Sequence, residues 1–387
     1  MAELRVHHVP GGPAESGFAH GRELHDLLTP AFLEAYVARL GEVIRFTRED
    51  LTVQAMRWLA GLPPHYREEI VAMGAGAGVG TTAVVELLYA DIARSSPAAA
   101  GEPRVPGEPG EPVESGEPGE SAGEEAPIGP MCSAVVARLA DEATWIARNC
   151  DWLVPTLMRG TAAVVHETPH RIPVMAVGIR GDIDVDTGIN AERLWLHLHT
   201  LQASDDPPAD RTCISWLFWA REALETCASL DELECFVEST GRDRGVFVVA
   251  GDGKTNEAAI FECSRGGHVR HDTDPAQVAC VTNHTLARDV GTTRKAGGFR
   301  GTVGRYRAMR ERLQDRVPRE GPTDLIALLA DPNVEMRTPR WLRTIYAAVV
   351  RPSDASIWFA AGGPDGTPAA SGGRWAPVRP PWERGTA

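Results

Sequence analysis

An α+β fold is predicted for this 387-residue chain by three observations. Apolar residues recur at helical spacing over the first hundred residues. The period drops to two after residue 131. Later helices fall between groups of strands instead of following every strand. The length allows one large domain or two ordinary ones, with ample material for a core.

The elements follow in order. "AESGFAHGRELHDLLTPAFLEAYVARLGEVIRF" carries Leu and Phe at helical spacing and breaks at Pro30, and "PPHYREEIVAMGAGAGVGTTAVVELLYADIA" gives two more helices around a Gly-rich turn. "CSAVVARL" and "ATWIARNCDW" flank "ADE" and predict a β-hairpin; "RIPVMAVGIRG" and "RLWLHLHTL" predict further strands. "TCISWLFWAREALETC" and "SLDELECFVEST" predict helices, the second with a Ser-x-x-Glu capping box at Ser229 and Glu232. A hairpin in "GVFVVAGDGKTNEAAIFECS", a short strand in "ACVTNH", a helix near 300 to 315 and a final hairpin in "IYAAVVRPSDASIWFAAGG" follow, before a Gly/Pro-rich tail. The predicted organisation is a helical segment at 1–100, a linker at 101–131 and a catalytic domain at 132–387.

The stretch 101–130 holds eight Glu against one Arg, a net of −7 and half of the chain's −14. Gly, Pro, Glu and Ser dominate it, and it cannot bury enough apolar surface to offset the entropy of ordering, so a disordered linker is expected. An acidic chain disfavours nucleic acid and anionic membrane as partners. There is no run of about 18 apolar residues to span a membrane. "MAELRVHHVPGG" lacks the basic-then-apolar pattern of a secretory signal, so a cytoplasmic protein is expected. Seven cysteines with no C-x-x-C pair suggest neither a disulfide framework nor a zinc ribbon.

Several motif-like stretches fail on spacing. The glycines from Gly74 or Gly76 meet Val79 or Thr81 where a dinucleotide loop needs its third Gly, and "GDGKT" has Val248 where a phosphate loop needs its first. "DIDVDTG" places its Gly at 188, one position late for a calcium loop, and Arg193 stands where the bidentate acid belongs. No cofactor is therefore expected. His197 and His199 share one face of a strand and offer two metal ligands without an evident third.

One constellation survives. Cys132 begins a strand, and Arg148 and Asp151 lie on the strand that returns beside it. A guanidinium near a thiol favours the thiolate, and a carboxylate nearby orients that guanidinium or holds an amine. On spacing alone, an ordinary hairpin with a surface ion pair is the favoured explanation of these residues.

The chain resembles the isopenicillin N acyltransferase family of cysteine N-terminal-nucleophile hydrolases, relatives of bile salt hydrolases and acid ceramidases. "ESGFAHGREL", "REEIVAMGAGAGV", "CSAVVA…WIARNCDW", "DTGIN", "VTNH" and "TIYAAVVRPSDASIWFAAGGP" carry the resemblance in the family's order. It implies a four-layer αββα sandwich with Cys132 as nucleophile. It also implies a precursor cut between Met131 and Cys132, whose two chains stay associated and whose new α-amine serves as base for the thiol. Arg148 and Asp151 match residues that hold the thiolate and the amine, and Asn283 matches an oxyanion-hole asparagine. Asn190 matches a second polar residue of that pocket. Trp152, His284 and Arg343 are assigned to substrate contacts.

The chain departs from the family at Met131, where the penicillin enzymes carry Gly, and at Cys150, which is expected to point away from Cys132 into the core. The expected partners are a small-molecule acyl donor, acyl-coenzyme A among the candidates, and an amine acceptor. A catalytically inactive binding protein on the same fold, and a metal-dependent hydrolase built on His197 and His199, are the competing readings.

Overall fold

Alternation along the strands decides what each sheet faces. The computed structural model describes residues 4–44, 47–94, 131–153, 160–201, 214–264, 267–274, 276–287, 301–337, 342–363 and 365–383. The acidic stretch 101–130 lies outside them. The chain opens with strand β1 (Arg5–Pro10) and five helices: α1 (Pro13–Glu23), α2 (Pro30–Ile44), α3 (Arg48–Gly61), α4 (Pro64–Ala77) and α5 (Thr81–Arg94). Six strands follow: β2 (Met131–Arg138), β3 (Thr144–Leu153), β4 (Thr161–Glu167), β5 (Val174–Ile179), β6 (Thr187–Asn190) and β7 (Leu194–Thr200). Next come α6 (Trp216–Thr226), α7 (Leu230–Ser239), β8 (Val246–Asp252), β9 (Glu257–Ser264), β10 (Gly267–Asp272) and β11 (Ala279–Val281). The chain closes with α8 (Thr302–Asp315), α9 (Thr323–Leu329), β12 (Leu342–Arg351), β13 (Ser356–Ala361), α10 (Ala369–Gly372) and β14 (Ala376–Val378).

The strands form two sheets, ordered β1-β4-β5-β6-β7-β8-β9-β10 and β11-β2-β3-β12-β13-β14. Every pairing is antiparallel except that of β1 with β4. Ala134, Val136, Ile146 and Trp152 of the smaller sheet share one core with Ala163, Val165, Met175, Ile189, Trp195 and Phe247 of the larger. The outward residues of the larger sheet, Val174, Leu196, Leu198 and Val248 among them, pack on Trp216, Trp219, Leu224 and Leu233 of α6 and α7. Val135, Ala137, Trp145 and Val349 of the smaller sheet pack on Met309 and Leu313 of α8 and Leu325 and Leu329 of α9. Helix, sheet, sheet, helix is the layer order, the expected four-layer αββα sandwich. Strands buried on both faces read as nearly continuous apolar runs, which is how β2 and β8 look in the sequence.

Three local differences from the sequence reading have physical causes. "RVHHVP" forms an edge strand; its two histidines hide the alternation, and parallel pairing to β4 comes from tertiary packing. The helical segment is therefore tied into the larger sheet through β1. Gly74 and Gly76 lie inside α4, and the turn proper is Gly78 to Gly80, where φ is +72° and +81°. Gly76 and Gly17 are small because α1 and α4 touch, a Cβ on Gly76 standing 2.2 Å from the Phe18 carbonyl oxygen and one on Gly17 2.0 Å from that of Glu69, whereas Gly74 makes room for the backbone of the turn at Gly80. The tail also adds β14, paired with β13.

The predicted cap of α7 forms as Ser229 Oγ accepts from Glu232 N–H at 3.2 Å, while Glu232 Oε2 accepts from Ala228 N–H at 2.7 Å. Among the described residues no single helix is long and apolar enough to cross a membrane.

Candidate active site

The β2–β3 hairpin sets the site by register. Cys132 lies directly opposite Cys150 and Ala134 directly opposite Arg148. Opposed residues of an antiparallel pair project to one face, so Cys132, Arg148 and Cys150 all point between the sheets. Cys150 thus does not point away from Cys132, as the sequence reading had it. Asp151, the next residue along β3, faces outward, toward Arg305 of α8.

On the inner face, Arg148 Nη2 donates to Cys132 Sγ at 3.1 Å. Its Nη1 donates to the Asp186 carbonyl at 3.1 Å and to Thr187 Oγ1, and meets Asp186 Oδ2 at 3.1 Å. Tyr346 braces the same group, donating to Asp186 Oδ2 at 2.7 Å with its ring 5.4 Å from the guanidinium carbon. Burial is the largest single influence and works against the Arg148 charge, but Asp186, Tyr346 and the two cysteines together outweigh it and hold the guanidinium protonated. The thiol side of Cys132 is therefore served by one fully buried, fixed cation.

On the outer face, Arg305 of α8 binds four partners. Its Nη1 donates to the Cys132 carbonyl at 2.7 Å, to Ser133 Oγ at 2.7 Å and to Asp151 Oδ2 at 3.0 Å, while its Nη2 donates to Asn283 Oδ1 at 2.9 Å. Thr344 Oγ1 donates to Asp151 Oδ1 at 2.6 Å. Burial lifts the Asp151 carboxyl to about 6, against the opposing pull of Arg305 and Thr344. Asn283 links the two faces: its Oδ1 accepts the Cys132 backbone N–H at 3.0 Å, and its Nδ2 donates to the Thr200 carbonyl at 2.8 Å. Its backbone N–H goes to Thr302 Oγ1 at 2.6 Å. Asn283 accordingly presents an acceptor to the nitrogen of Cys132.

The remaining predicted residues spread out. Asn190 donates to the Leu224 and Cys227 carbonyls at 2.9 and 2.7 Å and accepts from Leu194 N–H at 2.9 Å. These bonds fix the β6–β7 turn to α6; they do not bring Asn190 to Cys132. The β6 residue tied to the site is Thr187. Trp152 lies on the inner face beside Cys150, lining a cleft with Leu88, Val164, Tyr346 and Asp186. His284 Nδ1 meets the Thr282 and Thr302 hydroxyls, both at 3.0 Å. Arg343 is buried opposite Trp152 in β12, and burial pulls it down against the attraction of Asp365. Met131 is buried at the head of β2.

His197 and His199 do share the inner face of β7, stacked 5.2 Å apart. His197 Nδ1 accepts from Trp195 Nε1 at 3.0 Å, and His199 Nδ1 meets the Thr282 carbonyl at 2.9 Å. Burial, then the charge of Arg148, holds both well below the usual histidine range, hence neutral. Neither belongs to the two ligand-like groups found among the described residues, His65–Glu222–Glu225 and Glu234–Glu238–His268. Each of those already pairs with an arginine, Arg171 and Arg270 respectively.

The sequence reading missed Arg305, Thr344, Asp186, Thr187 and Tyr346. Arg305 is one of several arginines on α8 and carries no local signal. Thr344 and Tyr346 carry no local signal beside Arg343: strict alternation would put them on one face, and a register shift between them turns Thr344 to Asp151 and Tyr346 to the Cys150 side.

The model of the family described as acyl-coenzyme A:6-aminopenicillanic acid acyl-transferase matches residues 138–366. That is more than half of the chain, and the chain belongs to this family. The matched stretch begins after Cys132 and takes in Arg148, Asp151, Asn283 and Arg305. Membership makes the protein an acyltransferase or amide hydrolase of the N-terminal-nucleophile class. None of the curated proteins matches the chain.

Among solved structures the chain is similar to penicillin V acylase from Agrobacterium tumefaciens, at 18% identity and a TM-score of 0.44, covering 59% of this chain and 83% of that one. It is similar to a mutant of conjugated bile acid hydrolase from Clostridium perfringens, at 9% identity and a TM-score of 0.43, covering 64% and 92%. A further similarity is to the Caenorhabditis elegans ortholog of N-acylethanolamine-hydrolyzing acid amidase, at 14% identity and a TM-score of 0.43, covering 57% and 93%.

Proposed function

We propose that Cys132 is the nucleophile of an acyl-transfer reaction. Its sulfur attacks the carbonyl of a small amide or acyl thioester, the amine or thiol leaves, and the acyl group is held as a thioester. An amine or water then takes the acyl group. The observation that carries this reading is the 3.1 Å hydrogen bond from a buried, charge-locked Arg148 to Cys132 Sγ. A packing cysteine has no use for a fixed cation.

The proposal includes maturation. Cleavage between Met131 and Cys132 converts the N–H now held by Asn283 Oδ1 into an α-amine at the same place. That amine, with an ordinary pKa near 7.7–8.0, takes the thiol proton and returns it to the leaving group. Arg305, on the Cys132 carbonyl and on Asn283, holds this amine's surroundings in place. The cleft lined by Leu88, Trp152, Val164 and Tyr346 offers an apolar acyl group a place beside the site.

The test is a mass-spectrometric assay of the purified protein against a panel of N-acyl amines and acyl-coenzyme A thioesters. Turnover by the wild type and none by folded Cys132→Ala is expected. No turnover of any panel member by the wild type favours a binding protein on this fold, and turnover by Cys132→Ala removes the proposed nucleophile.

A further inference from the structure

Cys132 and Cys150 occupy the one register position from which a direct disulfide follows. They are opposed residues of an antiparallel ladder. Such pairs have Cα atoms about 4.5–5.5 Å apart, inside the usual disulfide range of about 4.4–6.8 Å. Their Cβ atoms start about 4.5–5.5 Å apart, slightly beyond the usual 3.5–4.5 Å of a disulfide, so closure draws the strands together and leaves a readily reduced bond.

The chemistry around the pair is asymmetric. Cys132 Sγ receives the Arg148 guanidinium, whereas Cys150 Sγ donates to Asp186 Oδ2 at 3.5 Å. Burial, then the Cys132 sulfur, pushes the Cys150 thiol up, which keeps its proton on the sulfur. Cys150 lines the cleft, which gives a small oxidant a way in. The other described cysteines are out of reach by layer. Cys280 packs on the outer face of the smaller sheet and Cys227 and Cys263 behind the larger one, while Cys235 is exposed on α7.

We propose that Cys132 and Cys150 form a reversible disulfide that switches the site off and shields Cys132 from irreversible oxidation. Hydrogen peroxide oxidises the Cys132 sulfur to a sulfenic acid, and the thiol proton leaves with the reduced oxygen as water. The Cys150 sulfur then attacks the Cys132 sulfur, and its proton passes by way of Asp186 Oδ2 to the sulfenic oxygen, which leaves as a second water. The sum is two thiols and one peroxide giving one disulfide and two waters. A dithiol reductant reverses it. The inference rests on the register of the hairpin, not on the acyl-transfer reaction, and its readout is a mass.

The experiment treats the full-length protein with near-stoichiometric peroxide, blocks free thiols, and digests with trypsin. Cleavage after Arg138 and Arg148 puts the two cysteines on separate peptides. The expected result is a cross-linked pair, two hydrogens lighter than the separate peptides and split by dithiothreitol. In Cys150→Ser and in Cys150→Ala, Cys132 is expected to proceed to sulfinic acid that dithiothreitol does not reverse. Sulfinic acid on Cys132 in the wild type without the cross-link would overturn the proposal, and so would a cross-link to any other cysteine. The wild-type result decides even if neither variant folds.

Discussion

Replacing Asn283 separates two roles that one residue type can serve. Its side chain makes hydrogen bonds in a fully buried site: Oδ1 accepts from Cys132 N–H at 3.0 Å and Arg305 at 2.9 Å, and Nδ2 donates to the Thr200 carbonyl at 2.8 Å. Asn283→Ala takes the acceptor from two buried donors, the Cys132 N–H and Arg305 Nη2, and a donor from Thr200. At about 1–3 kcal/mol for each orphaned donor, the loss is at least about 2 kcal/mol. A fall of roughly 3 °C or more in melting temperature follows for a chain of this size. Loss of the group that holds the Cys132 nitrogen lowers kcat by roughly 10²–10³-fold, the scale of removing one fixed polar partner of a reacting centre. Asn283→Asp keeps both acceptor bonds and loses only the donor to Thr200. If Asn283 works as the acceptor for the Cys132 amine, Asn283→Asp retains well above the activity of Asn283→Ala. The assays are kcat and KM on the first substrate found, with a thermal melt of each variant. Equal loss in the two variants would mean that the amide N–H is the working group, as an oxyanion donor, and would refute the acceptor role.

Three further predictions follow from the same geometry. Asp151, lifted to about 6 by burial, must be ionised to pair with Arg305, so kcat/KM is expected to fall as pH drops through about 6; Thr344→Val removes a hydrogen bond to the carboxylate and is expected to move this limb to higher pH, and an unmoved limb would contradict the assignment. The same raised pKa acts on stability with the opposite sense: the folded chain binds the extra proton between about pH 4 and 6, so this group's contribution is full below about 4 and declines as pH rises through 6, by roughly 3 kcal/mol in all. Gly17→Ala places a methyl 2.0 Å from the Glu69 carbonyl oxygen and is expected to destabilise the α1–α4 contact by about 1–3 kcal/mol, read by thermal melt; an unchanged melting temperature would show that the helices part easily. Intact-mass spectrometry is expected to find chains of 131 and 256 residues, 387 in all, with the larger beginning at Cys132 and neither present in Cys132→Ala; a single active full-length chain would require another base.

Much of the fold was legible because its strands are short apolar runs set between turn residues. The hairpins at 131–153, 246–264 and 342–361 are bounded in this way, although burial on both faces makes β2 and β8 nearly continuous in apolar residues. Edge strand β1 was not legible, since six residues with two histidines take their pairing from β4 and not from local preference. At the site, the structure brings Arg148 to the Cys132 sulfur and Asn283 to the Cys132 nitrogen, and the sequence did not say which face each takes. Pairing sums decide faces: 132 opposes 150, so Arg148 and Cys150 join the nucleophile while Asp151 turns to α8. Arg305 was invisible because its partners come from three separate parts of the chain. Asn190 shows the reverse case, a motif residue whose hydrogen bonds are spent on a turn.

The central claim is that the acyl group passes through the Cys132 sulfur. The direct test is to mix the enzyme with the best donor from the panel, quench in acid within the first turnover, and map the added mass by peptide mass spectrometry. The account predicts one acyl group on the peptide that contains Cys132, labile to hydroxylamine as a thioester is, and absent from Cys132→Ala. An acyl group on any other residue, or first-turnover product with no acyl-enzyme at any quench time, would contradict it.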